Sequence, residues 1–408
     1  MPTDRLDGVL AARLDEMAQA GRLKGKESAI RAVLPAGGGK GPRLLLEGEG
    51  ERPFLRMNSN SYLGMSLRSE VIEAEEAAAR AYGSGPGAVR FISGTWAPHV
   101  ALEKRLAAFH RRDAAMLYSS AYATVMGIIP PLITDKTAVI GDALNHNCII
   151  NAIALARPAE KHVYPHLDLG ELERRLEESA KTCTRAIVVT DGVFSMRGDH
   201  APLDRIMRLA RDHDAAFAEN VIVVVDDSHG VGAFGATGRG TEEVTDSPPA
   251  DLLVATLGKA FGVNGGYVVA NETLIRYLRE ISPFYIYSNP ITPAEAVAAH
   301  KAVDILDSPV SLALLAHLRA MTTRFKAGLM RLGLETLPGE HPVVPLMLRD
   351  TARTSAVVAH LRNNGILATG LNYPVVPKGD EEIRFQISAD HTAADIDEAL
   401  AVLARFGG

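Results

Sequence analysis

The stretch VIVVVDDSHG (residues 221–230) begins with five aliphatic residues, and two adjacent aspartates follow them. Further short apolar runs follow the same pattern: MLYSS (116–120), AVIGD (138–142), AIVVTDG (186–192), LLVATLG (252–258) and GGYVVA (265–270). Segments of helical pattern, such as 101–112 and 169–180, lie between these runs. Strands that are apolar throughout and alternate with helices predict an α/β fold with a mainly parallel, doubly wound sheet covered on both faces.

The segments on either side of this region predict further units. Apolar residues recur at helical spacing near the N-terminus, which predicts an amphipathic helix over residues 5–22. After residue 290, two long helical stretches are followed by short strands and a last helix, a pattern typical of a small α+β domain. We therefore expect an N-terminal helix and arm (1–59), a large domain (60–295) and a small C-terminal domain (296–408).

The composition argues against several classes of function. The chain has 408 residues and a formal net charge of −6, and no cluster of Lys and Arg offers a surface for nucleic acid or an anionic membrane. No apolar run approaches the ~18 residues of a membrane span. Two cysteines, Cys148 and Cys183, are too few for a disulfide framework, and no metal-ligand cluster is recognisable. We expect a cytoplasmic protein without a metal site.

Two charged residues follow apolar runs directly, where ligands collect at the carboxyl ends of the strands. Asp226 ends VIVVV, and a carboxylate there needs a positive partner such as a protonated pyridine nitrogen. A helix cap or a solvated turn explains Asp226 equally well. Lys259 comes one strand–helix–strand unit later, and a desolvated lysine at such a place can form a Schiff base. An arbitrary lysine is more often a surface residue, so the combination with Asp226 is what favours a cofactor site.

Other polar residues at strand ends are weaker candidates. Asp191 follows AIVVT, with Ser195 in the next turn, and either a ligand contact or a structural role fits Asp191. His146 follows AVIGD, and its ring could stack on a cofactor, although a lone histidine is more often structural. Arg384, in IRFQIS, is a candidate for pairing with a carboxylate, against the alternative of a surface arginine on a strand.

The segment GVGAFG (230–235) matches the outline of a dinucleotide-binding loop directly after a strand. That signature needs a helix to begin inside it, so that the helix N-terminus receives the pyrophosphate. Here the chain continues with the loop-like ATGRG. A nicotinamide-dependent dehydrogenase is therefore the remote alternative.

These segments together resemble the α-oxoamine synthase family of fold-type I pyridoxal-phosphate (PLP) enzymes. The resemblance runs along nearly the whole chain. Its main segments are NSYLG (60–64), VRFISGT (89–95), DALNHN (142–147), DGVFSM (191–196), VDDSHGVGAFGATGRG (225–240), TLGKAFG (256–262), YSNPIT (287–292), NYPVVPKG (372–379) and IRFQISADHT (383–392).

The resemblance implies a role for each matching residue. Lys259 would hold PLP as a Schiff base and act as the acid and base at the substrate α-carbon, and Asp226 would pair with the pyridine nitrogen. His229 would bond the phenolic oxygen, and His146 would stack on the ring. The remaining implied contacts are with the phosphate (Ser120, Ala121, Tyr122, Thr256 and, from a second subunit, Ser288), the phenolic oxygen (Ser195) and the amino-acid carboxylate (Asn60, Arg384).

The resemblance also implies a homodimer and a Claisen-type condensation of an amino acid with an acyl-CoA, giving a 2-amino-3-oxo acid or aminoketone and CoA. The simplest pair is glycine with acetyl-CoA, as in the glycine C-acetyltransferase branch. A sister reaction with alanine, serine or a longer acyl thioester stays open, as does another PLP class such as a lyase or an aminotransferase. Departures from that branch, at Ser61, Ala121, Tyr122 and Arg197, bear on the substrate rather than on the chemistry.

Overall fold

The computed structural model describes residues 3–19, 23, 27–373 and 375–406. The helices are α1 (Asp4–Gln19), α2 (Ser69–Tyr82), α3 (Ala97–Phe109), α4 (Ala121–Ile128), α5 (Asn147–Ala156), α6 (Leu169–Ser179), α7 (Leu203–His213), α8 (Thr241–Val244), α9 (Glu272–Ile281), α10 (Pro283–Ile286), α11 (Pro293–Leu306), α12 (Pro309–Arg331), α13 (Thr351–Asn363) and α14 (Ala393–Ala404). The strands are β1 (Ile30–Leu34), β2 (Arg43–Leu46), β3 (Leu55–Arg56), β4 (Ala114–Tyr118), β5 (Thr137–Asp142), β6 (Glu160–Tyr164), β7 (Arg185–Asp191), β8 (Val221–Asp226), β9 (Leu252–Thr256), β10 (Gly266–Ala270), β11 (Val343–Met347), β12 (Ile366–Leu367), β13 (Thr369–Leu371) and β14 (Glu382–Gln386).

The chain groups into two compact units. The larger unit comprises residues 60–320 and 339–342, and the smaller unit combines the described residues of 1–59, 321–338 and 343–408. The predicted domain boundaries at 59/60 and 295/296 stay a prediction. Among the described residues, no helix has the length and apolar character needed to cross a membrane.

The larger unit contains a seven-stranded sheet in the order β4-β10-β9-β8-β7-β5-β6. Its strands are parallel to their neighbours except β10, which runs antiparallel between β4 and β9. The strands are apolar on both faces: Val224 of β8 packs into one buried cluster, and its neighbours Val223 and Val225 pack into another. Burial on both faces needs continuous apolar runs, and the predicted mainly parallel sheet is confirmed.

The apolar runs of the sequence do not predict the edge strand β6. Its sequence, EKHVY, alternates between half-buried and exposed side chains until the buried Tyr164. Within the described part of the chain, strand β6 pairs only with β5, and polar side chains on such an edge discourage pairing with other chains. A strand of this kind lacks the continuous apolar run by which the inner strands are recognised.

The smaller unit contains an antiparallel sheet in the order β11-β14-β13 together with α13 and α14, which confirms the predicted small α+β unit. The N-terminal segment joins this unit through an ion pair: Arg43 Nη2 lies 2.6 Å from Oδ1 of the buried Asp395. Helix α1 begins at Asp4 and ends at Gln19, and residues 20–22 of the predicted helix lie outside the described residues.

Candidate active site

A cavity of about 240 Å³ lies in the larger unit, where β7, β8 and β9 end. Most of the residues singled out from the sequence line it, although they come from widely separated parts of the chain. The lining consists of Ser120, Ala121, Tyr122, His146, Cys148, Asp191, Val193, Ser195, Asp226, Ser228, His229, Thr256 and Lys259. The sheet therefore brings these side chains together as its topology predicts, while the role of each one stays a prediction.

Two buried carboxylates stand side by side in this cavity. Asp191 and Asp226 end β7 and β8 and are direct partners in the strand register. Burial raises the pKa of Asp191 well above its usual range, and the negative charge of Asp226 adds to this rise. A pair of buried carboxylates is stabilised by a proton or a cation. The cavity thus offers a place for a positively charged group beside Asp226.

Asp191 also positions His146. Its Oδ2 accepts a hydrogen bond from the backbone N–H of His146 at 2.9 Å, where α5 begins. Burial lowers the pKa of His146, and although Asp226 opposes this, Lys259 adds to it. His146 is therefore neutral near pH 7, which leaves an uncharged aromatic ring on the cavity wall.

Lys259 lies in a tight turn between β9 and β10. The turn is closed by hydrogen bonds from the backbone N–H of Leu257 to the carbonyl of Gly265 and from that of Gly262 to the carbonyl of Lys259. Gly262 has a φ of 70°, and a Cβ there would lie 2.3 Å from the backbone nitrogen of Ser66. The turn therefore requires glycine, and it presents Lys259 to the same cavity as the two carboxylates.

Another wall of the cavity is the start of α4. Ser120 caps this helix, its Oγ accepting from the backbone N–H of Ala123 at 3.1 Å. Strand β10 begins with Gly266, where a Cβ would lie 2.2 Å from the backbone nitrogen of Ala121. The backbone N–H groups of a helix start offer donors suited to a phosphate group. Thr256 lines the same cavity, and its hydroxyl donates to the carbonyl of Gly265 at 3.2 Å.

Sequence reasoning missed four residues at this site. Ser228, Cys148 and Val193 line the cavity, and Tyr62 donates or accepts a hydrogen bond with His229 Nδ1 at 2.8 Å. The Ser228 hydroxyl is buried and has no hydrogen-bond partner among the described residues. Burial, with Asp226 adding to it, raises the pKa of the Cys148 thiol, so this side chain stays protonated. Only the DDSH motif itself hinted at Ser228.

Three predicted site residues do not line this cavity. Ser288 is half-buried, and the resemblance implied that it acts in a second subunit. Asn60 belongs to the larger unit, with its Oδ1 3.4 Å from the Tyr62 hydroxyl. Arg384 is a half-buried residue of β14 in the smaller unit. Within the motif NYPVVPKG, Pro374 lies outside the described residues.

The glycines of GVGAFG have a structural explanation. The fully buried Asp227 accepts hydrogen bonds from the backbone N–H and hydroxyl of Thr241, each at 2.7 Å, and burial raises its pKa to about 7. A Cβ on Gly230 would lie 2.0 Å from this carboxylate, as would one on Gly240. A Cβ on Gly232 would lie 2.5 Å from Cβ of Ala260, and one on Gly235 would lie 2.2 Å from Oε2 of Glu243. No helix begins in residues 230–240, so this segment does not form the dinucleotide-binding turn, and its glycines make room for neighbouring side chains.

Comparison with known proteins finds relatives that match along nearly the whole chain. A family model described as aminotransferase class I and II matches residues 52–403. The mitochondrial 2-amino-3-ketobutyrate coenzyme A ligase of Bos taurus is 37% identical over 99% of this chain and 92% of its own. The 8-amino-7-oxononanoate synthase of Geobacter metallireducens is 38% identical over 91% and 92%. The structure of Sphingomonas wittichii serine palmitoyltransferase matches with a TM-score of 0.87 and 26% identity, over 99% of this chain and 98% of the other.

Proposed function

The chain belongs to the aminotransferase class I and II family and, within it, to the α-oxoamine synthases, and from this premise we propose that it condenses glycine with acetyl-CoA. It is a PLP-dependent acyltransferase. The observation that carries the proposal is the cavity in which one lysine meets two buried carboxylates at the ends of neighbouring strands. The near full-length similarity to 2-amino-3-ketobutyrate coenzyme A ligase supports glycine and acetyl-CoA as the substrates.

The residues of the cavity fit PLP. Asp226, with Asp191 beside it, suits a protonated pyridine nitrogen, and the helix start at Ser120 suits a phosphate. The buried Ser228 hydroxyl, which has no partner in the described part of the chain, is explained by a polar group that binds in the cavity. When bound, PLP supplies an electron sink for the negative charge that develops at the α-carbon of the amino acid.

We assign the following tasks to the side chains of the cavity. Lys259 holds the cofactor and moves a proton at the amino-acid α-carbon, and Asp226 keeps the pyridine nitrogen charged. His229 and Ser195 bond the phenolic oxygen, and the neutral His146 ring stacks on the cofactor. The phosphate contacts are Ser120, Ala121, Tyr122, Thr256 and, from a second subunit, Ser288, and the contacts with the substrate carboxylate are Asn60 and Arg384.

The proposed reaction balances without an oxidant or reductant. A carbon–carbon bond forms between the glycine α-carbon and the acetyl carbonyl carbon, and the carbon–sulfur bond of the thioester breaks. Lys259 takes the α-proton, and the sulfur leaves as the free thiol of CoA after taking up a proton. The products are CoA and 2-amino-3-oxobutanoate. A sister reaction with alanine, serine or a longer acyl thioester is the alternative, and 8-amino-7-oxononanoate synthase and serine palmitoyltransferase are named among the similar proteins.

Release of free thiol from acetyl-CoA tests the proposal directly. The PLP-loaded protein is assayed with glycine, alanine, serine and threonine in parallel, and we expect release with glycine. Release with alanine or serine alone would overturn the glycine assignment and keep the family chemistry. If no amino acid leads to thiol release although one of them changes the visible absorbance, the protein uses another acyl donor or catalyses another PLP reaction.

A matched pair of lysine variants completes this experiment. We expect Lys259→Ala to lose both thiol release and the visible absorbance of the wild-type protein. The exposed Lys136, which lies before β5, provides the control, and Lys136→Ala is expected to keep both properties. A Lys259→Ala variant with wild-type absorbance would contradict the assignment of Lys259.

The assembly and location of the protein remain further proposals. We propose a homodimer with shared active sites, which the implied contribution of Ser288 requires, and we propose a cytoplasmic location. Several similar proteins are named as mitochondrial. Size-exclusion chromatography with light scattering tests the dimer, and fractionation of cells that express the native chain tests the location.

A further inference from the structure

The Cys148 side chain lies between two other residues of the cavity. Its Sγ is 2.9 Å from Nδ1 of His146 and 3.7 Å from Oδ2 of Asp226. Cys148 is the second residue of α5 and is 1% exposed, whereas Asp226 ends β8. One buried sulfur therefore contacts both an aromatic ring and a carboxylate that line the cavity.

The start of α5 fixes the orientation of the His146 ring. The backbone N–H of Cys148 donates to Nδ1 of His146 at 3.3 Å, so the His146 side chain caps its own helix. Because a backbone N–H can only donate, Nδ1 is the nitrogen that accepts. Burial lowers the pKa of His146, and a neutral imidazole carries its single hydrogen on the other nitrogen. The ring therefore has its hydrogen on Nε2 and turns the lone pair of Nδ1 toward Cys148.

The Cys148 thiol keeps its hydrogen and is held in place. Burial raises the pKa of this thiol, and the negative charges of Asp226 and Asp191 add to the rise. The thiol can donate to Nδ1 of His146 or to Oδ2 of Asp226, and with either bond the sulfur stays between them. Cys148 also belongs to the buried apolar cluster that contains Val224. Because such an interior is closely packed, the sulfur cannot move away without leaving a void.

We propose that Cys148 is a positioning residue, which holds the His146 ring at a fixed angle and at a fixed separation from Asp226. These two residues would contact one planar group, Asp226 at the pyridine nitrogen of PLP and His146 at a face of the same ring. Both contacts form together only if the imidazole ring and the carboxylate keep their relative positions. The inference rests on the proposed function for the identity of the ligand, whereas the contacts of Cys148 belong to the protein alone.

Three cysteine variants test the proposal through cofactor binding. A spectrophotometric titration is expected to show that Cys148→Ala raises the dissociation constant of PLP about five- to tenfold. Cys148→Ser keeps a donor between the same two acceptors, so its constant should lie closer to the wild-type value than to that of the alanine variant. The control is Cys183→Ala, because Cys183 is also buried but lies outside the lining of the cavity. Its dissociation constant should equal that of the wild type.

The visible circular dichroism of the bound cofactor distinguishes positioning from a loss of stability. This signal depends on how the cofactor ring is held among the groups of the protein. We expect Cys148→Ala to change its intensity per molecule of bound PLP, and Cys148→Ser to restore it. A destabilised fold would bind less PLP but would leave the intensity per bound molecule unchanged, and that result would contradict the positioning role.

Nitrogen NMR of the cofactor-free protein, labelled in its histidine rings, tests the orientation of His146 in the wild type. The His146 signals are identified by their loss in His146→Asn, in which asparagine keeps a capping side chain at the start of α5. We expect the ring hydrogen on Nε2. We also expect Cys148→Ala to shift the Nδ1 signal, and Cys183→Ala to leave it unchanged. A wild-type His146 with its hydrogen on Nδ1 would overturn the inference even if no Cys148 variant folds.

Two outcomes separate this inference from the proposed function. If the Cys148 variants behave as expected but the wild type releases no thiol from acetyl-CoA with glycine, the proposed function fails while the inference stands. If Cys148→Ala binds PLP with wild-type affinity and with unchanged circular dichroism, the inference fails alone.

Discussion

The carboxylate of Asp191 and the backbone N–H of His146 are joined by a hydrogen bond of 2.9 Å. Asp191 ends β7 and His146 caps α5, so the bond ties the end of one strand to the start of the helix that follows its neighbour β5. Asp191 stands next to Asp226 in the register of the sheet. Asp191 thus positions His146, and Asp226 beside it is the carboxylate that we propose pairs with a bound cation.

We expect the two substitutions Asp191→Asn and Asp191→Ala to act in opposite directions on the cofactor-free protein. Asn keeps an acceptor for the His146 N–H and removes a buried charge, so its free energy of unfolding at pH 7 stays at or above the wild-type value. Ala leaves that N–H without a partner and lowers the free energy of unfolding by roughly 1–3 kcal/mol. Urea titrations of the three proteins measure this difference.

The pH dependence of the same variants has a definite sign. Because the pKa of Asp191 is raised on folding, the folded protein binds this proton more tightly than the unfolded chain does. Its contribution to stability is therefore present at low pH and is lost as the pH rises from the unfolded pKa through the folded one. Asp191→Asn is expected to flatten this decline, and an unchanged slope in the urea titrations would contradict the raised pKa.

Removing the Ser228 hydroxyl should stabilise the cofactor-free protein and weaken cofactor binding. In the cofactor-free protein it is buried without a partner in the described part of the chain, so Ser228→Ala should raise the free energy of unfolding by about 1 kcal/mol. The same change should weaken PLP binding about five- to tenfold if the bound cofactor supplies the partner. Urea unfolding and a spectrophotometric PLP titration measure the two effects.

Ser282 serves as the control for this pair of effects. It is also buried, but its hydroxyl accepts a hydrogen bond from the Tyr118 hydroxyl at 3.0 Å. Ser282→Ala is therefore expected to lower the free energy of unfolding and to leave the PLP dissociation constant unchanged. Equal behaviour of the two serine variants would argue that the Ser228 hydroxyl has no role toward the cofactor.

His166 predicts a loss of stability in alkaline solution. Burial pushes its pKa down, but Nδ1 and Nε2 face the carboxylates of Asp142 and Asp199 at 3.0 Å and 3.2 Å, and the pKa rises to about 9. A pKa raised on folding means that this stability is fully present below the unfolded value near 6.5 and is lost as the pH rises through about 9. The loss should amount to roughly 1–3 kcal/mol.

Thermal unfolding between neutral and alkaline pH checks the role of His166. Asp199 closes the turn that carries Ser195, since the backbone N–H of Phe194 donates to its carbonyl oxygen at 2.9 Å. We therefore expect both the PLP affinity and the unfolding temperature to fall as the pH rises through about 9. His166→Gln should lack this pH step and be less stable at neutral pH. A variant that keeps the wild-type pH profile would show that other groups cause it.

Adding one methyl group at Gly230, which lies beside Asp227, should severely destabilise the fold. A Cβ at Gly230 would lie 2.0 Å from the buried Asp227 carboxylate, which cannot move without losing its bonds to Thr241. We expect Gly230→Ala to cost about 3 kcal/mol or more, or to prevent folding. Gly37→Ala, which meets nothing within 4 Å, is the control and should be within about 0.5 kcal/mol of the wild type. Soluble yield and urea unfolding distinguish them.

Local sequence predicted the inner strands of the sheet because burial on both faces leaves no alternative to a continuous apolar run. It did not predict β6, because a strand at the edge of the sheet can carry polar residues and β6 therefore lacks a continuous apolar run. Position at a strand end likewise singled out Asp226 and Lys259, which the structure brings into one cavity. It assigned no role to Asp227, the next residue, whose buried carboxylate accepts hydrogen bonds from Thr241.

The class of the fold and the kind of chemistry could be predicted from the chain, because strand periodicity and the order of the motifs can be read along it. Which side chains meet depends on how the strands and helices pack. Tyr62 lies in the motif NSYLG, but the motif gives no sign of its partner, and its bond to His229 exists only because the fold brings together residues 167 positions apart. Contacts of this kind depend on packing in three dimensions, which no pattern within a short segment encodes.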